Sequence, residues 1–251
     1  MNAIVNVTKN WGIGKDNKLL CHIKEDMDFF KEKTMGKVII YGNNTLKSFP
    51  NKAPLSGRIN IVISRDINNI PQESKDQSSF CYDIKIKNYN LTIYVKNTIA
   101  NGLFPTDGVI NRKTNKIKTL LLYANSIEKA IEFARQLAYD EDIFVCGGAS
   151  IYNQFMSYVD DIYVTKNECD KEADTFFPNL DDDVEWMIKD QKSIITKSNQ
   201  NLTFYHYIRI DKFIRNNNQL NKKIKALLKK FRLSEIDDLI ENKENMDDKN
   251  G

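Results

Sequence analysis

Few side chains in this 251-residue sequence are equipped for chemistry, and those that are stand far apart. Asp26 lies in the run Lys24–Lys33, where Met27, Phe29 and Phe30 recur with charges between them, and it shares a side with Phe30. A carboxylate among apolar neighbours needs a partner. Desolvation raises its pKa, and a flat donor–donor edge such as an aminopyrimidine would satisfy it. A first-turn acid stabilised by the helix dipole fits the same position, and periodicity alone favours that plainer reading. Gly147–Gly148 joins an apolar run to a helical one; without Cβ atoms the backbone there can approach a phosphate, although a Gly-Gly pair is also ordinary turn chemistry. Arg58 follows the turn residues Pro54 to Gly57, placed either to clamp a carboxylate bidentately or merely to be solvated. Trp11, in a glycine-bearing loop, reads equally as a ligand contact or a loop anchor.

The remaining inventory excludes several classes. The two histidines, His22 and His206, are too few for a multi-histidine metal site and argue against a histidine-based triad. The four cysteines at 21, 81, 146 and 169 form no C-x-x-C pair, which argues against zinc and a redox dithiol and for a reducing compartment. No G-x-G-x-x-G or Walker sequence occurs. A net charge of +3 is too balanced for a nucleic-acid or membrane surface over the whole molecule. There is no stretch of eighteen apolar residues and no basic leader, so a cytoplasmic protein without a membrane segment is expected.

The elements that must position these residues follow an α/β rhythm. Residues 3–8 read as a buried strand, followed by a loop over Asn10–Asn17 that is long for a connector; Lys24–Lys33 reads as a helix stopped by Gly36. Strands are expected at Val38–Tyr41, Ile59–Ser64, Leu120–Tyr123, Ile143–Cys146, Asp161–Thr165 and Leu202–Ile210, and helices at Thr45–Phe49, Ser126–Ala138 with Ser126 as N-cap, and Ser150–Met156. Residues 66–118 interrupt the order as an insertion, within which residues 80–97 alternate like a β-hairpin. In the tail, residues 212–232 hold eight basic residues and no acidic one, and residues 233–251 hold two basic and seven acidic. The spacing of Ile224, Leu227, Leu228 and Phe231, and Ser234 with Asp237 ahead of Ile236, predicts two short helices.

Five ordered stretches resemble the dihydrofolate reductase family: AIVNVTKNWGIGKDNKL, KEDMDFFKEKT, PLSGRINIVISRD, VCGGASIYNQFM and YVTKNECDKEADTFFP, with LTFYHYIRI as a closing strand. GRINIVISR and DTFFP resemble its eukaryotic-type members. The resemblance implies a three-layer α/β/α domain over residues 1–210, with a mostly parallel eight-stranded sheet, plus the inserted hairpin and a charged helical extension over 211–251. It implies NADPH-dependent reduction of 7,8-dihydrofolate to 5,6,7,8-tetrahydrofolate. Asp26 would bind the pyrimidine edge and support protonation at N5, with Thr165 hydrogen-bonded to it. Ile4, Val5, Asn6, Phe30, Lys31, Phe49, Leu55, Arg58 and Cys146 would contact the substrate, Arg58 at its glutamate carboxylate. On the cofactor side, Asn6 and the mobile loop Gly12, Ile13, Gly14, Lys15, Asp16, Asn17 and Lys18 would close over nicotinamide. Asn44, Thr45 and the segment Gly147, Gly148, Ala149, Ser150, Ile151 and Tyr152, with a cis Gly147–Gly148 bond, would hold pyrophosphate and ribose, and Ser64 with Arg65 the 2′-phosphate.

Three departures stand out. Leu20–Cys21 replaces the family's Pro-Trp, Asn6 a small residue and Asn43 a basic one, which predicts slower protonation, altered ring alignment and a weaker preference for NADPH over NADH. The competing readings are a riboflavin-pathway pyrimidine reductase of the same fold and a catalytically weak folate- or nucleotide-binding protein. A fused thymidylate synthase is excluded by the short remainder after Ile210. The basic tail is the only candidate for nonspecific nucleic-acid binding, or for docking on a protein partner.

Overall fold

The computed structural model describes residues 1–65, 79–86, 89–96, 110–111, 116–117 and 119–216. Its centre is the apolar strand set β1 (Asn2–Thr8), β4 (Val38–Gly42), β5 (Ile59–Ile63), β10 (Leu120–Ala124), β11 (Ile143–Val145) and β12 (Asp161–Asn167), all mutually parallel along the order β12-β1-β11-β4-β5-β10. Parallel strands need crossovers that cover both faces, which is why these segments are buried almost throughout. On one edge the antiparallel strands β15 (Asn201–Arg209) and β14 (Trp186–Ile195) complete the expected eight. On the other edge the predicted hairpin, β6 (Ser79–Ile86) and β7 (Tyr89–Lys96), pairs antiparallel with β10 and extends the sheet to ten strands. A short ladder, β8 (Ile110–Asn111) with β9 (Lys116–Ile117), is also described within the insertion; its other residues, and the predicted tail helices beyond 216, lie outside the described residues.

Side-chain alternation divides the core into two layers. Val5, Val7, Ile40, Ile61 and Leu122 point to one face, against α3 (Ile127–Leu137) and α4 (Ala149–Phe155). Ile4, Ile39, Tyr41, Val62 and Phe144 point to the other, against Phe29 and Phe30 of α1 (Lys24–Thr34) and Leu46 of α2 (Asn43–Ser48). Each wholly buried isoleucine in these layers contributes about 2 kcal/mol. Ser126 caps α3 as expected, its Oγ accepting from Lys129 N at 3.2 Å. Gly36, at φ 76°, makes the reversal from α1 to β4 in the left-handed region. After Arg209 the chain continues as α5 (Ile210–Asn216), tied to β12 by the Lys212–Asp161 ion pair. No described helix is long and apolar enough to cross a membrane.

Two elements differ from expectation. The connector over Asn10–Asn17 is a hairpin: β2 (Gly12–Lys15) and β3 (Lys18–Leu19) flank Asp16 and Asn17, both at positive φ, as a two-residue turn requires. It pairs with β13 (Thr175–Phe176) in a separate three-stranded sheet. The strand β14 has no counterpart in the sequence pattern, because most of its residues are exposed and show no alternation; its conformation is set by pairing with β15.

Candidate active site

The parallel strands β1, β4 and β11 end together, and the candidate residues gather at those ends. Asp26 stands in the first turn of α1 and is only 5% exposed. Above it lie Asn6 of β1 and Thr165 of β12, which are register partners on adjacent strands and so share one face. Burial raises the Asp26 carboxyl above the ordinary aspartate value, while Thr165 and Asn6, facing it, favour the charged form. Thr165 Oγ1 and Asn6 Nδ2 are both buried toward the Asp26 carboxyl and have no other hydrogen-bond partner among the described residues. Among the described residues no ionised group takes part in shifting Asp26, so its charge lacks there the partner that a structural ion pair would provide.

From Asp26 an apolar wall leads away along one face. Ile4, Phe30, Phe49, Leu55 and Cys146 all belong to the cluster under α1 and α2, with the Phe49 ring 4.9 Å from that of Tyr41. Arg58 closes the row, its guanidinium 5.8 Å from the centre of the Phe30 ring. Its Nε donates to Thr34 Oγ1 and its Nη1 to the Ser56 carbonyl, both at 2.8 Å, so the fork is fixed rather than freely solvated. Strand alternation turns the Val5 side chain into the opposite core layer, so of the backbone and side-chain contacts expected of Ile4, Val5 and Cys146 only the backbone of Val5 faces this side. Lys31 is exposed on α1. A separate open groove on the other side of α1, lined by Glu25, Phe29, Tyr163, Phe204 and His206, contains none of the candidate residues.

The glycine pair lies across the strand ends from this wall. Gly147–Gly148 is joined by a cis peptide bond, Gly147 has φ 111°, and a Cβ on it would come within 3.2 Å of the Tyr152 ring. Gly42 N donates to Gly147 O at 2.8 Å, which brings the starts of α2 and α4 side by side; a Cβ on Gly148 would stand 3.5 Å from Thr45 Oγ1. The result is a backbone cradle lined by Asn44, Thr45, Gly148, Ala149 and Ser150, where first-turn N–H groups have no intrahelical acceptor. Ile151 and Tyr152 are drawn out of that set. Their side chains are buried, their N–H groups donate to Gly148 O, and the Tyr152 hydroxyl donates to Ile4 O at 2.7 Å. At the end of β5, Ser64 is buried and Arg65 is an exposed cation.

The β2–β3 hairpin borders the same region and is fastened on its outer side. Lys15 Nζ contacts Glu172 Oε2 at 2.7 Å, Asp16 N donates to Asp174 Oδ2 at 2.9 Å, and Lys171 Nζ donates to Leu20 O at 2.9 Å. A Cβ on Gly12 would meet Ala173 Cβ at 2.6 Å, so the hairpin seats this closely only with glycine there. Cys21 and Cys169 form a disulfide across the same junction. This corrects the expectation of reduced thiols: the partners are 148 residues apart, and no local spacing reveals them. Trp11 proves to be the loop anchor, buried, stacked on Phe177 at 6.2 Å and covered by Lys166 Nζ at 4.3 Å. Asn167, also absent from the sequence reading, donates to Val7 O at 3.0 Å and to Asn6 Oδ1.

Comparison with known proteins converges on one family. The sequence matches the family described as Dihydrofolate reductase over residues 1–95 and 106–209. It is 28% identical over 188 residues to a dihydrofolate reductase of Haemophilus influenzae, covering 75% of this chain and 84% of that one. A dihydrofolate reductase of Staphylococcus haemolyticus is 31% identical over 199 residues (77% and 89%), and one of Buchnera aphidicola 28% over 214 (85% and 98%). These relatives are bacterial and give no support to the eukaryotic-type wording of residues 57–65 and 174–178.

Proposed function

From the chain's membership of the dihydrofolate reductase family, which makes it an enzyme reducing dihydrofolate to tetrahydrofolate, we propose that NADPH is the hydride donor and that Asp26 is the acid on which the reaction depends. One observation carries this reading. Asp26 is buried, has no ionic partner among the described residues, and stands between an apolar wall ending in Arg58 and a glycine cradle fit for a pyrophosphate. NADPH, when bound, supplies the hydride delivered to pterin C6.

The chain's own residues do the rest. The ionised Asp26 carboxylate accepts from the N3–H and 2-amino donors of the pyrimidine edge, and its burial keeps a protonated fraction to higher pH than a solvated aspartate, which supports protonation at N5. Ile4, Phe30, Phe49 and Leu55 fix the ring and the aminobenzoyl group, and Arg58 takes the glutamate carboxylate. Asn44, Thr45 and Gly147–Ser150 hold the pyrophosphate and Arg65 the 2′-phosphate, while the Gly12–Lys18 hairpin excludes water from the nicotinamide side. Residues 1–210 form the catalytic unit, with 66–118 an insertion and 211–251 an appendage.

NADPH oxidation followed by absorbance, with and without dihydrofolate, tests the assignment. Arg58→Leu should raise KM for dihydrofolate roughly tenfold to a hundredfold with kcat little changed, because it removes charge-assisted binding to a carboxylate remote from the reacting atoms. An unchanged KM would remove Arg58 from the substrate site.

A further inference from the structure

Asn6, beside the acid, is held by Asn167, and the hydrogen bonds of the two amides have a direction. Cys169 N donates to Asn167 Oδ1 at 2.8 Å, so the Asn167 amide group must present its N–H donors the other way. It does so to Val7 O at 3.0 Å and to Asn6 Oδ1. With its oxygen thus engaged, Asn6 is left with Nδ2 facing inward, buried and without a hydrogen-bond partner among the described residues. The group it faces is Asp26. An unpartnered buried N–H is costly unless something is intended to accept from it. A carboxylate that shifts slightly when it takes up a ligand is such an acceptor.

We propose that Asn167 and Asn6 are a positioning pair for the reaction: Asn167 orients the Asn6 amide so that its N–H faces Asp26 and favours the charged form that grips the pyrimidine edge. The inference rests on the assignment of Asp26 made above. The other groups around the carboxylate leave this role open. Thr165 faces it from β12, and Tyr152 from α4 is a buried phenol, kept neutral by burial and by the neighbouring Cys146 and Asp26, with its hydroxyl committed to Ile4 O. Among the described residues no cation or second carboxylate contributes to the Asp26 shift.

The test is a carbon-13 NMR titration of Asp26 in the ligand-free protein, assigned with Asp26→Asn, alongside the pH profile of turnover. Asn6→Leu should move the Asp26 titration upward by about one pH unit, the equivalent of one hydrogen bond to a charged group. Asn167→Ala should move it in the same direction. Because Asn167 acts through Asn6, the double variant should move it no further than Asn6→Leu alone. A titration unmoved by Asn6→Leu, or shifts that add in the double variant, would overturn the pair; Asn6→Ala carries the same test should Asn6→Leu not fold. A shifted NMR titration with a turnover profile indifferent to Asp26 would uphold the pair and refute the assigned role of Asp26.

Discussion

Asp26 binds its proton more tightly in the folded chain than in the unfolded one, because burial outweighs the help of Thr165 and Asn6. For an acid this direction has a definite sign. Stability is highest below the ordinary value of 3.8, declines as pH rises through the folded-state pKa, and stays reduced above it. Asp26→Asn should therefore melt higher than the parent protein at neutral pH, with the difference vanishing in acid; an equal or lower melting temperature at neutral pH would mean that the carboxylate is solvated or paired. The position of Asp26 was legible in the sequence because its helix face is set by local spacing with Phe30. The Asn6–Asn167 contact was not, since it joins residues 161 apart through strand pairing. For Val5 and Tyr152, which part of the residue faces the strand ends is decided by strand alternation and by a buried hydroxyl bond to Ile4 O, neither of which local spacing reveals.

At the scale of elements, the site depends on the junction between the β2–β3 hairpin and the segment ahead of β13. The hairpin's own ladder is two residue pairs, too little to hold its place alone, so outside contacts and the Cys21–Cys169 bond fix it. By loop-closure entropy, a cross-link between residues this far apart stabilises by about 5 kcal/mol. Reducing it, or making Cys21→Ser with Cys169→Ser, should lower the unfolding free energy by that order, measured by denaturant titration with thiol counts on the same samples. An unchanged transition midpoint after verified reduction would show that the bond contributes nothing. Periodicity and capping made α1, α3 and the buried strands readable. The turn at Asp16–Asn17 and the edge strand β14 escaped because neither depends on an apolar pattern.

For the whole molecule, the sheet order places the C-terminal ends of β1, β4 and β11 together, between the glycine cradle and α1, where an open parallel sheet takes its ligands. The insertion adds β6 and β7 at the far edge, beyond β10, and leaves that central arrangement intact. The chain from β1 to β15 closes the sheet, and α5 is tied back to Asp161 through Lys212. A protein ending at Asn216 should therefore keep its folate-reducing activity and its melting temperature; loss of either would assign residues 217–251 a structural or catalytic part. The role proposed for Asp26 is tested by the rate of dihydrofolate-dependent NADPH oxidation at neutral pH, compared between the parent chain and Asp26→Asn. Asp26→Asn should lose about a hundredfold or more of that rate, whereas a variant that kept the full rate would remove Asp26 from the reaction.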